Sequence, residues 1–324
     1  MSRPRSIRLI AFVQLLFAVP LAAQEWIKVT PEMAESHLVK NVAPVYPPFA
    51  KAAGIQGPIS IHVGISLAGR IGALMEMTGP PSLHQAAKDA VLQYVWKPFE
   101  QDGRLVAADT TVTIVFKLEG NVPPPPPPPD ISWASFKRFE EFVRREHRDR
   151  SGATYKCTAC VGSISPEFRQ WLAEDLKKQA NHMADGSESS PEFLALEAEL
   201  RNAAAPLPAS IEVIEIPIEK PGTHLYLFRT LSNVWCGTGG CSIELIEQDA
   251  SSIRVVAESF GGGYYIHAHR GSPYPDIFTY SHMSATEGTV AGYSNVAGLW
   301  GQLYCGEITL ADNGDEKDDV RVCQ

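Results

Sequence analysis

Seven consecutive prolines, Pro123 to Pro129, divide the chain into two parts. Proline has a fixed φ and no backbone N–H, so such a run can join neither a helix nor an inner strand. It is expected to form a stiff polyproline II segment. A chain of 324 residues is long enough for more than one core. We therefore interpret residues 120–130 as a linker that holds two folded parts apart; a ligand for a proline-recognising domain is the alternative.

The N-terminus has the three parts of a secretory signal. Three arginines lie within the first eight residues, an apolar run extends from Leu9 to Ala22, and the small residue Ala23 follows. The run is shorter than the roughly 20 apolar residues that span a bilayer. The sequence therefore predicts a signal peptide over residues 1–23, removed on export. An uncleaved anchor in the inner membrane is the alternative.

Charge and cysteine content restrict the function classes. The formal net charge is −9, and no segment is strongly basic, which argues against binding of nucleic acid through its phosphates. All six cysteines lie beyond the proline run, and export favours disulfides. Proximity along the chain favours the pairs Cys157–Cys160, Cys236–Cys241 and Cys305–Cys323. For the first pair, redox chemistry or zinc binding are the alternatives.

Residues 44–119 have the pattern of a small α+β domain. A short helical turn follows Tyr46, and Ile59–Ile65 alternates apolar and polar residues as a half-buried strand does. A hairpin turn, a second strand, a helix and a closing strand, Thr111–Leu118, come next. This order predicts a three-stranded antiparallel sheet with two helices packed on one face.

The same residues carry a series of motifs in a characteristic order. They are Pro44, Tyr46, Pro47, Gly54, Gly57, Gly69, Trp96, Pro98 and Gly103, followed by a strand with Val112, Phe116 and Leu118. This series resembles the TonB C-terminal domain family. The resemblance implies a domain in the periplasm of a Gram-negative bacterium that takes part in energy transduction and transmembrane transport.

The resemblance also implies a mode of binding. Members of this family bind the TonB box, an extended segment of outer-membrane transporters, as an added strand at the edge of the sheet. The matching edge here is the last strand, Asp109–Leu118. The implied peptide-binding residues are Thr110, Thr111, Val112, Thr113, Ile114, Val115 and Phe116. The implied partner is a transporter or another extended peptide segment, with inner-membrane motor proteins as further partners if the N-terminus is an anchor.

The remaining segments have simpler predictions. Residues 24–43 are a short lead, and residues 131–204 are helical, with one helix capped by Ser132 and two that begin at the repeated tetrapeptide Ser-Pro-Glu-Phe, residues 165–168 and 190–193. Residues 205–324 form a small all-β, cystine-bearing domain, a sandwich or barrel. Its expected strands are Ile211–Ile218, Leu225–Leu231, Ser242–Ile246, Ile253–Ala257 and Gly263–His267.

No catalytic, cofactor-binding or metal-binding motif is recognisable in the sequence, since phosphate loops, nucleophile elbows and zinc-protease helices have spacings that do not occur. We therefore expect an α+β multidomain interaction protein that is not an enzyme and holds no cofactor and no metal. The alternative is a secreted protein whose C-terminal disulfide-bearing domain is the active part, as an inhibitor or an unrecognised hydrolase, with the TonB-like domain as a docking module.

Overall fold

The computed structural model describes residues 26–120, 125–129, 164–183, 191–202, 205–208, 210–230, 236–237, 240–268, 272–284, 287–310 and 316–323. The predicted signal peptide, the helix expected after Ser132 and the pair Cys157–Cys160 lie outside these residues. In the first part, the elements are β1 (Trp26–Lys28), α1 (Pro31–His37), β2 (Leu38–Lys40), α2 (Pro48–Ala52), β3 (Gly57–Ile65), β4 (Ile71–Thr78), α3 (Pro81–Val91), β5 (Val95–Trp96), β6 (Phe99–Gln101) and β7 (Arg104–Phe116).

Sheet one is five-stranded, in the order β1-β7-β3-β4, and β6 also pairs with β7. Its antiparallel centre, β7-β3-β4, corresponds to the predicted three strands, but that prediction was incomplete. β1 adds in parallel and β6 in antiparallel orientation. The predicted short lead is also partly folded, because β1, α1 and β2 lie within it. Strands of three residues are too short for alternation to reveal them.

The core of the first part lies between sheet one and its helices. Ile59, Ile61, Val63 and Ile65 are fully buried, as the alternation in β3 predicts. They share one hydrophobic cluster with Leu83, Ala87, Ala90 and Val91, which α3 presents at helical spacing. Among the residues that the structure describes, no helix packs on the opposite face of the sheet.

The described residues of the second part begin with the helices α4 (Pro166–Met183) and α5 (Pro191–Arg201). The predicted cap of α4 is present, since the Phe168 N–H donates to Ser165 Oγ at 3.1 Å. Arg169 is buried in α4 and donates to the Leu200 and Ala205 carbonyls, at 3.0 and 2.6 Å, near the end of α5. Within the described residues, no helix is both long enough and apolar enough to cross a membrane.

Ten strands follow: β8 (Ile211–Ile216), β9 (His224–Thr230), β10 (Cys236–Gly237), β11 (Gly240–Gln248), β12 (Ile253–Gly261), β13 (Gly263–His267), β14 (Asp276–His282), β15 (Glu287–Val296), β16 (Leu299–Leu310) and β17 (Glu316–Val322). Sheet two has the order β10-β11-β9-β8, with β12 also paired to β11. Sheet three has the order β13-β14-β15-β16-β17. Cys236 is bonded to Cys241 across the β10–β11 hairpin, and Cys305 to Cys323 beside β17, as chain proximity suggested.

The sequence analysis did not anticipate β14 to β17. Glycines interrupt the apolar alternation of β15 and β16, and aromatic rings fill the space that their missing side chains leave. A Cβ on Gly288 would lie 1.9 Å from the Tyr280 ring, and a Cβ on Gly292 would lie 2.4 Å from the Phe278 ring. These strands are therefore stabilised by cross-strand packing that local periodicity does not show.

Sheet three buries apolar residues on both of its faces. One face, with Ile277 and Tyr293, packs against Ile243 and Leu245 of sheet two. The other face, with Phe278, Tyr280, Tyr304 and Ile308, shares the hydrophobic cluster of the TonB-like part. The helices α4 and α5 cover the far side of sheet two. The layers are thus α4–α5, sheet two, sheet three, α2–α3 and sheet one.

The two parts of the chain are therefore in contact. The expectation that the proline linker holds them apart is wrong, because the second part offers an apolar sheet face that the helices α2 and α3 cover. Phe49 of α2 lies directly on Gly301 of β16, where a Cβ would be 2.3 Å from the phenyl ring. Burial of apolar surface on both sides outweighs the separation that a stiff linker favours.

Replacing Gly301 by alanine should weaken this contact between the two parts. The added methyl group meets a buried ring, so we expect a loss of about 1–3 kcal/mol of unfolding free energy. Gly72→Ala in β4 is the control, because a Cβ there meets its nearest atom at an ordinary 3.6 Å. Denaturant unfolding measures both variants. Equal stability of Gly301→Ala and the wild type would contradict the contact.

A buried carboxyl group lies between α4 and sheet two. Glu244 of β11 is 3% exposed and accepts a hydrogen bond from Gln179 of α4, with Nε2 and Oε1 2.7 Å apart. Its Oε2 has no hydrogen-bond partner within the described residues. Burial, with the nearby negative charges of Asp175 and Glu258, raises the pKa of Glu244 to about 7.

This carboxyl group should make stability depend on pH. Its folded pKa of about 7 exceeds the ordinary value of 4.5, so the folded chain binds the proton more tightly than the unfolded chain does. The free energy of unfolding should fall by ~3 kcal/mol as the pH rises from 4.5 to about 7, and should stay level above that pH. Glu244→Gln, measured by denaturant unfolding, should be the more stable protein at about pH 8 and equal to the wild type near pH 4. Exposed Glu35→Gln is the control; a Glu244→Gln effect independent of pH would refute the assignment.

Candidate functional site

One side of β7 is only partly paired. Its other side pairs with β3 from Ala108 to Phe116. On the partly paired side, β1 covers Ala107–Asp109. Beyond Asp109, no strand of the described residues pairs with this side. We call Thr110–Phe116 the open edge.

Backbone direction alternates along the open edge. The Asp109 carbonyl accepts from the Val29 N–H at 3.0 Å, so it faces away from β3. Because backbone groups alternate in an antiparallel pair, Thr111, Thr113 and Val115 also direct their N–H and C=O groups outward. The other four predicted binding residues, Thr110, Val112, Ile114 and Phe116, direct theirs towards β3. The open edge therefore presents three outward N–H and three outward C=O groups.

The side chains beside these outward groups form a mostly polar face. Ser60 and Thr113 have their hydroxyl oxygens 3.5 Å apart. His62 Nε2 lies 2.5 Å from Asp109 Oδ1. Val115 is the apolar exception and is 53% exposed. In the described residues, this face points away from α2 and α3.

Trp26 of β1 lies on the same face. Its indole covers Gly64, where a Cβ would be 2.5 Å from the Trp26 ring, and the residue remains 46% exposed. The sequence analysis missed β1, although the apolar residues Trp26, Ile27 and Val29 soon after the expected cleavage site could have indicated it. The first positions along this side of β7 are therefore occupied by the chain itself.

The residues of the family motif stabilise the structure around the open edge. Tyr46 donates its hydroxyl to the Ile55 carbonyl at 2.5 Å and packs edge-on against Phe116, with ring centres 5.4 Å apart. Burial raises the pKa of the Tyr46 hydroxyl. Gly69 approaches Trp96 so closely that a Cβ would lie 2.0 Å from the Trp96 carbonyl oxygen. Gly57 begins β3, and the other motif residues lie in turns and loops: Pro44, Pro47, Gly54, Pro98 and Gly103.

Comparison with known proteins supports the TonB-like character of the N-terminal part of the chain. Residues 42–118 match the family model of the Gram-negative bacterial TonB protein C-terminal, which confirms the resemblance seen in the sequence. A solution NMR structure of the Pseudomonas aeruginosa TonB C-terminal domain is 26% identical, over 26% of this chain and 88% of that one, with a TM-score of 0.23. No curated protein matches the chain. The N-terminal part is thus TonB-like, and TonB-like domains are non-catalytic; no family covers the C-terminal half.

The described residues give no sign of a metal site, because nowhere do they bring together three or more histidine, cysteine, aspartate or glutamate side chains able to hold an ion. Cys236, Cys241, Cys305 and Cys323 are bonded in pairs. These cysteines belong to the second part of the chain and are remote in sequence from the open edge. The only chemistry that the edge itself offers is backbone hydrogen bonding and side-chain contact.

Gly64→Ala should detach β1 from the sheet. The added methyl group takes the space of the Trp26 ring, so the three-residue pairing loses its main side-chain contact. Hydrogen exchange of the Val29 amide, which bonds to Asp109, should then become faster by about tenfold or more, as expected for local opening. Gly72→Ala is the matched control. Unchanged protection in Gly64→Ala would show that Trp26 does not anchor β1.

Proposed function

We propose that the TonB-like domain binds an extended peptide segment as an added strand along the open edge. The observation that carries this proposal is the set of outward N–H and C=O groups of Thr111, Thr113 and Val115. An edge of this kind accepts a strand through main-chain hydrogen bonds, while pockets beside it select side chains. The family match over residues 42–118 supports the same mode of binding.

The composition of the open edge supports a binding role. Exposed edges usually carry charges or proline, which prevent unwanted pairing. Thr110–Phe116 has neither, and consists only of β-branched residues and phenylalanine. The opposite edge strand of the sheet, β4, contains Glu76 and Gly72. An unprotected edge of this kind is best explained by a partner that covers it.

The strand β1 supports the same proposal. It is an extended segment that already pairs in parallel with Ala107–Asp109, so this side of β7 accommodates an added strand. From Thr111 to Val115 the open edge spans about 14 Å, which suits a partner of about five residues. Exposed Val115 would contact apolar side chains of that partner, and Thr111 and Thr113 would contact polar ones.

The cellular setting follows from the family and the N-terminus. We infer that the protein is exported to the periplasm of a Gram-negative bacterium and that its partner is the TonB box of an outer-membrane transporter, in the service of transmembrane transport. The signal-like segment over residues 1–23 and the TonB-like domain support this setting. If the N-terminus were retained as an anchor, inner-membrane motor proteins would be further partners.

Thr113→Pro should abolish most of the peptide binding without unfolding the protein. Proline removes one outward N–H, and the bonds to β3 come from the neighbouring residues, so the sheet is kept. We expect affinity to fall by about tenfold, as for one lost hydrogen bond and a misplaced edge. The measurement is an amide-shift titration of the full-length protein with a TonB-box peptide from a transporter of the same genome.

Thr113→Ala is the matched control, because it keeps the backbone donor and should bind almost as the wild type does. Amide shifts should concentrate in β7 and around Tyr46. Wild-type affinity in a folded Thr113→Pro variant, or shifts confined to the second part of the chain, would rule out strand addition at this edge.

A further inference from the structure

Strand β1 is anchored on both faces of sheet one. On the outer face, which points away from α2 and α3, the Trp26 indole lies over Gly64. Ala107, the pairing partner of Trp26, is fully buried. On the inner face Ile27 packs against the core cluster, and Val29, directly after the strand, is buried in that cluster. Side-chain contacts on both faces therefore hold β1 in place, although it is only three residues long.

The chain leaves the sheet immediately after β1. The Val29 N–H donates to the Asp109 carbonyl at 3.0 Å, and the next residue, Thr30, caps helix α1. Ala34 of α1 is buried in the core cluster, which holds the helix against the sheet. The strand β1 therefore does not continue along β7, and its last hydrogen bond, to Asp109, lies beside the outward groups of Thr111.

A partner strand meets an obstacle at this end of the open edge. Outward backbone groups recur at every second residue, about 7 Å apart. A strand that pairs with Thr111 would therefore reach the position of Asp109 after two further residues. The outward carbonyl of Asp109 is already bonded to Val29, and the backbone of β1 occupies the space beside it. The partner must end or turn away at this point.

The two ends of the open edge also differ in their side chains. Next to β1, the outer face carries the pair His62–Asp109 and the exposed Lys28, which pairs in register with Asp109. At the other end it carries Val115, which is 53% exposed. A polar partner side chain therefore suits the end next to β1, and an apolar one suits the end next to Val115.

We propose that β1 is a fixed stop that sets the register and the length of the added strand. The site then selects an extended segment of about five residues, with a polar side chain towards β1 and an apolar one towards Val115. This proposal rests on strand addition at the open edge and goes beyond it, because an edge without a stop would bind longer segments in several registers.

The test compares how peptide length affects binding to the full-length protein. The probes are a five-residue TonB-box peptide from a transporter of the same genome and two longer peptides, each extended by three native residues at one end. Amide-shift titration gives the affinities. In the wild type neither extension should strengthen binding more than about twofold, because the stop blocks one end and β7 itself ends at Phe116.

Gly64→Ala and, as a second variant, Trp26→Ala remove the contact that holds β1 on the outer face. The backbone groups of Ala107 and Asp109 then become available. We expect one of the two extended peptides to bind about tenfold more tightly to these variants than to the wild type, and the five-residue peptide to bind all forms equally. Gly72→Ala is the control and should behave as the wild type, since a Cβ there has ordinary contacts.

The outcomes separate this proposal from strand addition itself. If an extended peptide binds the wild type about tenfold more tightly than the short one and the Val29 amide loses exchange protection, β1 is displaced and is not a stop. The same length dependence in the wild type, Gly64→Ala and Trp26→Ala would also overturn the stop, while strand addition would stand. Binding of none of the peptides, or shifts only outside β7, would overturn strand addition and the stop with it.

Discussion

Burial of sheet three on both faces is the constraint on which the arrangement of the molecule depends. A sheet with one apolar face needs one covering layer, whereas this sheet has two and needs both. Sheet two covers one face, and the helices of the TonB-like part cover the other. The close approach of Phe49 to Gly301 is possible only because that position has no side chain. The TonB-like part is therefore built into the protein rather than carried on a tether.

This arrangement decides which surfaces of the TonB-like part remain available. Its helical face is used by sheet three, so a partner has access to the polar outer face and to the open edge of β7. There the outward groups of Thr111, Thr113 and Val115 require partners that the described chain does not supply. In the described part of the chain, burial on one side of the domain and an unpaired edge on the other are the features on which the proposed strand addition depends.

Much of the first part could be read from the sequence because its signals are local. Alternation from Ile59 to Ile65 identified β3, helical spacing identified α3, and the motif series identified the family. Three-residue strands gave no such signal, so β1 and β6 were missed, and with them the partial occupation of the edge by Trp26. In the second part, Gly288, Gly292, Gly301 and Gly306 obscured β15 and β16, since an aromatic residue from elsewhere in the chain supplies the missing apolar contact at three of these positions.

The sequence by itself determined the parts that depend on neighbouring residues: the alternation of strands, the start of α4 at Ser165 and the pairing of cysteines that lie close together in the chain. Only the tertiary structure decided which edges remain open, which surfaces cover the two faces of sheet three, and that the linker joins two parts in contact. Those properties arise from pairing and burial between residues far apart in sequence. Local periodicity shows that a face is apolar. Which surface covers that face depends on how well segments distant in sequence pack against each other in the folded chain.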